Sequence, residues 1–239
     1  SPHVAVLTSI IPFKILEFQT HNNFIIAPDN VVDAMKSKFD FKSKILRTRT
    51  SIIPQDWILQ RDIAHDKENA SLALQTSELF KVSREIARDI IQNFSGLRGN
   101  MEMIKKIDGI EFYNDSSSIT PWATLSALRS LSVNRNIILI IGGAYTGHDY
   151  GDLIKNLPQY VSTVIMLPGS GSIGIRESIE NIQSVDFIQT LSLEDAVNEA
   201  KEHAKKDDRI LFSPAFEAVG IDISRKERGE RFVRAVRSL

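Results

Sequence analysis

The chain has 239 residues, of which 42% are hydrophobic and 25% are charged, a size and balance that suit one large globular domain or two small ones. Its 29 basic and 30 acidic residues give a formal net charge of -1 at pH 7, so no overall field would draw it to nucleic acid or to anionic lipid. The absence of cysteine excludes disulfides, thiolate metal sites and a cysteine nucleophile, and it suits a cytoplasmic location.

The first hundred residues mix short strands and helices. Residues 4–11 form an apolar run that is too short to span a membrane and lacks a basic region before it, so they predict a buried strand. Because a parallel strand needs neighbours, its early position predicts that the chain is part of something longer. The other predicted elements are a helix at 22–38 kinked at Pro28, β-leaning pieces at 43–48 and 50–53, a helix beginning near His65, and a helix capped by Ser83.

From about residue 98 the pattern changes to a regular alternation of strands and helices. The predicted strands are residues 110–114, 136–141, 163–167, 185–188 and 209–212. Such alternation predicts an α/β fold with an open, mostly parallel, Rossmann-like sheet and helices on both faces. We place the domain boundary at the glycine-containing joint of residues 96–99.

Two glycine segments follow predicted strands. Residues 169–174 match G-x-G-x-x-G, whose amides can hold a pyrophosphate at the start of a helix. A dinucleotide site uses the first strand of its domain, whereas this segment follows a later strand and Pro168, so we predict a plain turn. Gly142 and Gly143 end another buried strand, at the edge where doubly wound sheets bind ligands.

A polar run from Asn114 to Ser118 lies between a strand and a helix that begins near Pro121. Hydroxyls and helix amides there can bind phosphate or carboxylate, and Asp115 can hold a ribose hydroxyl or a water on Mg²⁺. A simple helix cap accounts for the same residue types equally well. The pattern alone leaves both interpretations open.

Other polar groups give weaker signals. His65, Asp66 and Asn69 open a helix and can accept hydrogen bonds from a ligand, although Asp66 also suits a cap. The five histidines never fall at metal-ligand spacing, so no metal site is predicted. Residues 226–231 alternate in charge and are interpreted as the solvated face of a helix.

Several of these features occur in the order of a known family. Residues 112–124, FYNDSSSITPWAT, resemble the NDSKATNP-AT segment that opens the C-terminal domain of the D-glutamate-adding Mur ligases. Residues 141–150, IGGAYTGHDY, are similar to that family's GG-DKG-DF, and LFSPA and ERGERF are similar to LLSPA and ERG-RF. The family's F-GLPHRME joint, HN-xN-AA helix and AVITNI-PDH strand resemble residues 94–102, 65–73 and 4–12. The resemblance is colinear over nearly the whole chain.

This resemblance implies a truncated α/β central (ATPase) domain over residues 1–97 and a Rossmann-like C-terminal domain over 98–239. In complete Mur ligases, ATP phosphorylates the sugar-linked carboxylate and the amine of the incoming amino acid attacks the acyl phosphate. This chemistry requires a phosphate cradle, Mg²⁺ and cationic side chains, so ATP and Mg²⁺ are the implied cofactors. No G-x-x-x-x-G-K-[ST] occurs in the sequence, which predicts that the chain begins after the phosphate-binding loop.

Several functional positions of the family carry other residues. Aligned without gaps, the metal-binding histidine falls on Lys14, the carbamylated lysine on Pro28, and the arginine of the joint on Asn100. Two substrate-side lysines fall on Ser117 and Thr146. The remaining changed positions are Ile119 and Ala218. These changes argue against ATP and Mg²⁺ binding by this chain, and no catalytic residue is predicted in it.

The resemblance leaves four predicted cofactor-binding residues: His65, Asn69, Asp115 and Ser116. The favoured hypothesis is a relative of the ATP-dependent D-glutamate ligase of peptidoglycan synthesis that is inactive as this chain alone. The alternatives are a non-catalytic binding or scaffolding module and, third, a nucleotide sensor. A truncated central domain would expose an apolar sheet edge, so a homodimer or a protein partner is predicted to cover it. No nucleic-acid partner and no membrane span are predicted.

Overall fold

The computed structural model describes residues 4–7, 16, 18–37, 40, 42–60, 64–218 and 224–239, without the side chains of residues 4, 64 and 65. The chain divides into two compact units, Ser1–Ser95 and Gly96–Leu239. The boundary placed from the sequence lies at residues 97 and 98. That the first unit is a truncated ATPase domain stays a prediction.

The first unit is built around a small parallel sheet. Its elements are β1 (Val4–Val6), β2 (Phe24–Pro28), α1 (Asp29–Lys36), β3 (Lys44–Thr48), α2 (Ala64–Leu79) and α3 (Arg84–Gln92). The described strands lie in the order β1-β2-β3. The central strand carries Ile25, Ile26 and Ala27, all fully buried, because a parallel strand is covered on both faces.

Two expectations for this unit are wrong. The predicted helix at 22–38 is a strand followed by a helix, because the apolar run from Phe24 to Ala27 pairs with both neighbouring strands. Pro28 ends that strand and precedes α1 with φ -60°, where its missing N–H costs no helical hydrogen bond. The β-leaning piece at 50–53 is a 3-10 turn over Thr50–Ile52. Residues 8–11 of the first predicted strand lie outside the described residues.

The second unit holds a six-stranded sheet. Its elements are β4 (Glu102–Ile107), β5 (Ile110–Asn114), α4 (Pro121–Leu131), β6 (Ile137–Ile141), α5 (Gly151–Tyr160), β7 (Val161–Met166), α6 (Ser170–Glu180), β8 (Asp186–Gln189), α7 (Leu193–His203), β9 (Arg209–Phe212) and α8 (Arg225–Ser238). The strand order is β4-β5-β9-β6-β7-β8. All pairs are parallel except β4 with β5, so the prediction of a mostly parallel Rossmann-like sheet is confirmed.

Helices cover both faces of this sheet. The connections through α4, α5 and α6 cross the sheet in one direction, whereas α7 returns from β8 to β9. Because such crossovers are right-handed, α7 lies on the opposite face, where it packs against α8. The core on that face includes Phe212 and Phe232, whose rings stack at 5.1 Å.

Strand β4 was not predicted, because half of its residues are charged and no apolar run marks it as a strand. It forms a short hairpin with β5. Asp108 and Gly109 connect β4 to β5 with φ values of 52° and 85°. Two consecutive positive φ values define the tight turn that joins antiparallel strands, and Asp-Gly is a favoured sequence for it. The dipeptide was therefore the signal that could have revealed the strand.

Candidate functional site

The candidate site is the edge of the second sheet where its five parallel strands end. Residues following these strands include Asp115 after β5, Gly142 after β6, Leu167 after β7, Thr190 after β8 and Ser213 after β9. Open α/β sheets bind ligands at this edge because loops and helix N-termini converge there. The polar groups at the edge thus determine what the domain can hold.

Asp115 is at the centre of a buried network. Its carboxylate, which belongs to a residue only 2% exposed, accepts a hydrogen bond from the Met101 amide at 3.1 Å and one from the Ser213 hydroxyl at 2.7 Å. Ser213 Oγ also lies 2.9 Å from Thr124 Oγ1. The carboxylate therefore connects the joint before β4 to the ends of β5 and β9.

Helix α4 is capped by a residue outside the polar run of residues 114–118. Helix α4 begins at Pro121, and its cap is Thr120, whose hydroxyl accepts from the Ala123 amide at 3.3 Å. Asn114 instead accepts from the Ser116 amide at 3.2 Å. The serines from 116 to 118 are thus not needed to cap α4.

Ser116 is enclosed by two glycines and borders a cleft. Its Oγ lies 2.8 Å from the place where a Cβ on Gly99 would stand, and 2.3 Å from that of Gly229. The cleft has a volume of about 620 Å³ and is lined by both serines, Ser116 and Ser117. Its charged lining consists of Arg98, Arg225, Lys226, Arg234, Arg237, Glu102 and Glu230. Five cations against two carboxylates make the cleft suited to an anion.

The glycine turn after β6 packs against the segment after β7. A Cβ on Gly143 would stand 2.2 Å from the Glu217 carbonyl oxygen, so the backbone approach requires glycine. The Gly143 amide donates to Ser172 Oγ at 3.1 Å, and the Gly143 carbonyl accepts from the Gly171 amide at 3.0 Å. The predicted plain turn at 169–174 is wrong, because α6 begins at Ser170.

The loop after β9 contains a strained residue held by a buried phenol. Ala215 is fully buried and has φ 59°, in the left-handed region that residues other than glycine rarely adopt. Its carbonyl accepts a hydrogen bond from the Tyr150 hydroxyl at 3.1 Å. Burial raises the pKa of Tyr150 to about 12, so the phenol stays protonated and remains a donor at physiological pH.

A second cavity, of about 560 Å³, is open to solvent between helix α6 and the loop that joins β6 to α5, and Tyr145, His148 and Tyr150 form part of its lining. The His148 ring meets Trp122 edge to face at 4.6 Å. Aromatic walls with a nearby imidazole can accept a flat or an apolar group.

The four predicted cofactor-binding residues fall in different units. His65 lies in α2, without a described side chain, and Asn69 is exposed on the same helix. Asp115 and Ser116 lie together at the edge of the second sheet and are buried. Their role in binding a cofactor stays a prediction.

The positions that differ from the family's pattern lie in both units. The Pro28 side chain offers no ligand atom to a cation, Lys14 lies outside the described residues, and Ser117 is exposed beside the cleft. Among the described residues, no group of three or more histidine, aspartate or glutamate side chains could hold a metal ion. No helix in the described part of the chain has the length and apolar character to cross a bilayer.

Arg228 was missed by the sequence analysis. Residues 226–231 were interpreted as a solvated face, which is wrong for Arg228 and Gly229, since both are buried. Phe232, four residues after Arg228, is also fully buried. Because residues four apart share one face of a helix, that spacing was the signal for an inward-facing arginine.

A family model and individual relatives all show similarity of this chain to Mur ligases. The Mur ligase glutamate ligase domain matches residues 99–216. The UDP-N-acetylmuramoylalanine--D-glutamate ligase of Streptococcus agalactiae serotype III (strain NEM316) is 26% identical over 272 residues, covering 100% of this chain and 59% of that enzyme. The enzyme of the same name from Aquifex aeolicus (strain VF5) is 31% identical over 232 residues, covering 92% of this chain and 54% of that enzyme. The chain therefore spans less than two thirds of these relatives.

Solved structures share the fold. A MurF structure from Acinetobacter baumannii superposes with a TM-score of 0.66 at 15% identity, covering 100% of this chain and 60% of that one. The structure of MurF from Thermotoga maritima in complex with ADP superposes with a TM-score of 0.64 at 14% identity, covering 98% of this chain and 62% of that one. The α/β architecture therefore recurs in these ligases.

Proposed function

Since the chain belongs to the Mur ligase family, we propose that it is a relative of the D-glutamate-adding ligases that does not perform ATP-dependent ligation by itself. The observation that carries this proposal is that the edge of the second sheet is well ordered by hydrogen bonds, whereas two positions beside it lack the cationic side chains that the family resemblance implies. The Asp115–Ser213 network and the glycine turn support the edge of the sheet. Ser117 and Thr146 stand where the family resemblance implies lysines.

The chemistry explains why these substitutions matter. Phosphoryl transfer and attack on an acyl phosphate both develop negative charge, which preorganised cations stabilise. A serine or threonine hydroxyl supplies a neutral donor in place of an ammonium group. Loss of one such stabilising group costs about 3 kcal/mol at a transition state, so two losses act strongly against turnover.

The test is a ligation assay on the purified chain. We expect phosphate release from ATP to stay at background when UDP-N-acetylmuramoyl-L-alanine, D-glutamate and Mg²⁺ are present. Titration calorimetry with ATP, with and without Mg²⁺, should give no heat of tight binding. Magnesium-dependent turnover by the chain alone would refute the proposal. Turnover that needs a co-purified partner would identify the chain as part of a divided ligase.

A binding module is the second candidate, and the cationic cleft favours it. The cleft could bind an anionic partner or ligand because Arg98, Arg234 and Arg237 form no ion pair with any residue that the structure describes. A titration with ADP checks this candidate. Binding that weakens in Arg234→Gln and persists in Arg176→Gln, on helix α6, would support it, whereas absence of binding would count against it.

A further inference from the structure

Helix α8 carries an arginine at every third position from 225 to 237, and among the first three of them the middle one differs from its two neighbours. Arg225 pairs with Glu217 through two guanidinium nitrogens. Arg231 pairs with Glu194 through two hydrogen bonds, at 3.1 and 2.6 Å. Each outer arginine thus has its own carboxylate. Arg228, between them, forms no ion pair with any residue in the described ranges.

Arg228 is also the most buried of the three, at 7% exposed. Its Nη2 donates to the Phe216 carbonyl at 2.9 Å, and its guanidinium carbon lies 5.8 Å from the centre of the Phe212 ring. Its Nε is buried and has no hydrogen-bond partner among the residues that the structure describes. Burial lowers the pKa of Arg228 to about 10, which still leaves the group charged at neutral pH. Within the described residues no carboxylate contacts this buried cation directly, although Glu217 acts on it electrostatically, and a bound anion would compensate its burial.

The guanidinium of Arg228 borders a cavity at the carboxyl edge of the sheet. The cavity has a volume of about 160 Å³ and lies among Gly143, Pro168, Ser192 and Leu193. Ser192 caps helix α7, which begins at Leu193, so the positive end of an 11-residue helix faces the same space. Since a water occupies about 30 Å³, the volume admits a small oxyanion and excludes a whole nucleotide.

We infer that this cavity is an anion site in which Arg228 and the N-terminus of α7 hold one phosphate or carboxylate group. The site is separate from the cationic cleft and does not depend on the proposed function, because it requires no ligation chemistry. Arg231 supports it from the rim, where Glu194 fixes its guanidinium. The shared chemistry of the ligand is a planar or tetrahedral oxyanion, which guanidinium groups recognise with paired donors.

The test measures binding of inorganic phosphate and of acetate by calorimetry at constant ionic strength. We expect at least one of the two anions to bind the unmodified chain. Its affinity should fall at least tenfold in Arg228→Gln and stay within twofold in Arg176→Gln, a matched loss of one charge. Binding of phosphate but not of acetate would identify a phosphate site. Binding of acetate but not of phosphate would identify a carboxylate site. Binding of neither anion would overturn the proposal.

Two further variants separate the alternatives. Arg228→Lys keeps the charge and should fold where Arg228→Gln does not, yet it loses the paired donors, so affinity should still fall. If binding weakens in Arg234→Gln but not in either Arg228 variant, the anion lies in the cleft and the proposal fails.

Discussion

Asp115 has a structural role in this chain whatever ligand the domain binds. Both carboxylate oxygens accept hydrogen bonds from within the unit, from Met101 and from Ser213. The sequence could place Asp115 at a strand end, because the apolar run before it and the helix signal after it are local. The sequence could not show that Ser213, which is 98 residues away, closes the carboxylate off from solvent.

We predict that Asp115→Ala destabilises the chain by about 1–3 kcal/mol, because it leaves the buried Met101 amide without its acceptor and leaves the Ser213 hydroxyl only Thr124 Oγ1. Asp115→Asn should cost less than about 1 kcal/mol, since an amide oxygen can accept from Met101 while its NH₂ donates to Ser213 Oγ. Urea denaturation of both variants measures the difference. Equal losses would show that the negative charge, and not the hydrogen-bond pattern, is required.

Helix α6 illustrates how far an element can be predicted from its own residues. The glycines at its start suggested a turn, but the segment continues as helix because Gly171 lies against Phe216 and the turn after β6. A Cβ on Gly171 would meet the Phe216 ring at 2.3 Å, whereas a Cβ on Gly174 would meet nothing within 4 Å. Only packing distinguishes these two glycines.

This difference gives a paired prediction. Gly174→Ala should stabilise the chain by about 1 kcal/mol, because alanine favours the helix over glycine. Gly171→Ala should destabilise it by about 1–3 kcal/mol, because the fully buried Phe216 cannot move away freely. Thermal unfolding of the two variants measures both signs. A stabilising Gly171→Ala would contradict the close packing of α6 on the loop after β9.

The contact between α7 and α8 includes an ion pair, Arg231 with Glu194, whose contribution to stability depends on pH. Arg231 lowers the pKa of Glu194, chiefly through its hydrogen bonds. A carboxyl whose pKa is lower in the folded state stabilises the fold above its unfolded pKa, near 4.5, and loses that contribution as pH falls through the folded value. The Glu194 side chain is 47% exposed, so the contribution is below about 1 kcal/mol.

We therefore predict that Glu194→Gln lowers the free energy of unfolding slightly at neutral pH and has no effect once the pH is below the folded pKa. Urea midpoints of both proteins across this range measure the difference. High salt should reduce it at neutral pH, because exposed ion pairs are screened. A difference that persists in acid would indicate a loss of packing instead of charge pairing.

At the scale of the whole molecule, the described strands of the first unit form a parallel sheet of only three strands. Parallel sheets are normally covered on both faces and have several neighbours. Val6, on edge strand β1, is 43% exposed. An apolar edge of this kind favours pairing with another chain.

We predict that the protein elutes as a dimer, with twice its 26.8 kDa mass by light scattering. Val6→Lys should shift it to the monomer, because a charged side chain on an edge strand opposes pairing. Val133→Lys changes an equally apolar exposed residue, 55% exposed, in the second unit and should leave the dimer intact. A monomeric unmodified chain would contradict the prediction.

The sequence by itself determined the parallel sheet of the second unit and the family. Buried parallel strands must be continuous apolar runs, as in Ile137–Ile141, and the motifs at strand ends are local strings. Tertiary structure alone decided that residues 24–28 are a strand, that Asp115 is enclosed, and that Arg228 borders an anion-sized cavity. Each of these outcomes depends on partners distant in the chain, whose burial and hydrogen bonding outweigh local preference.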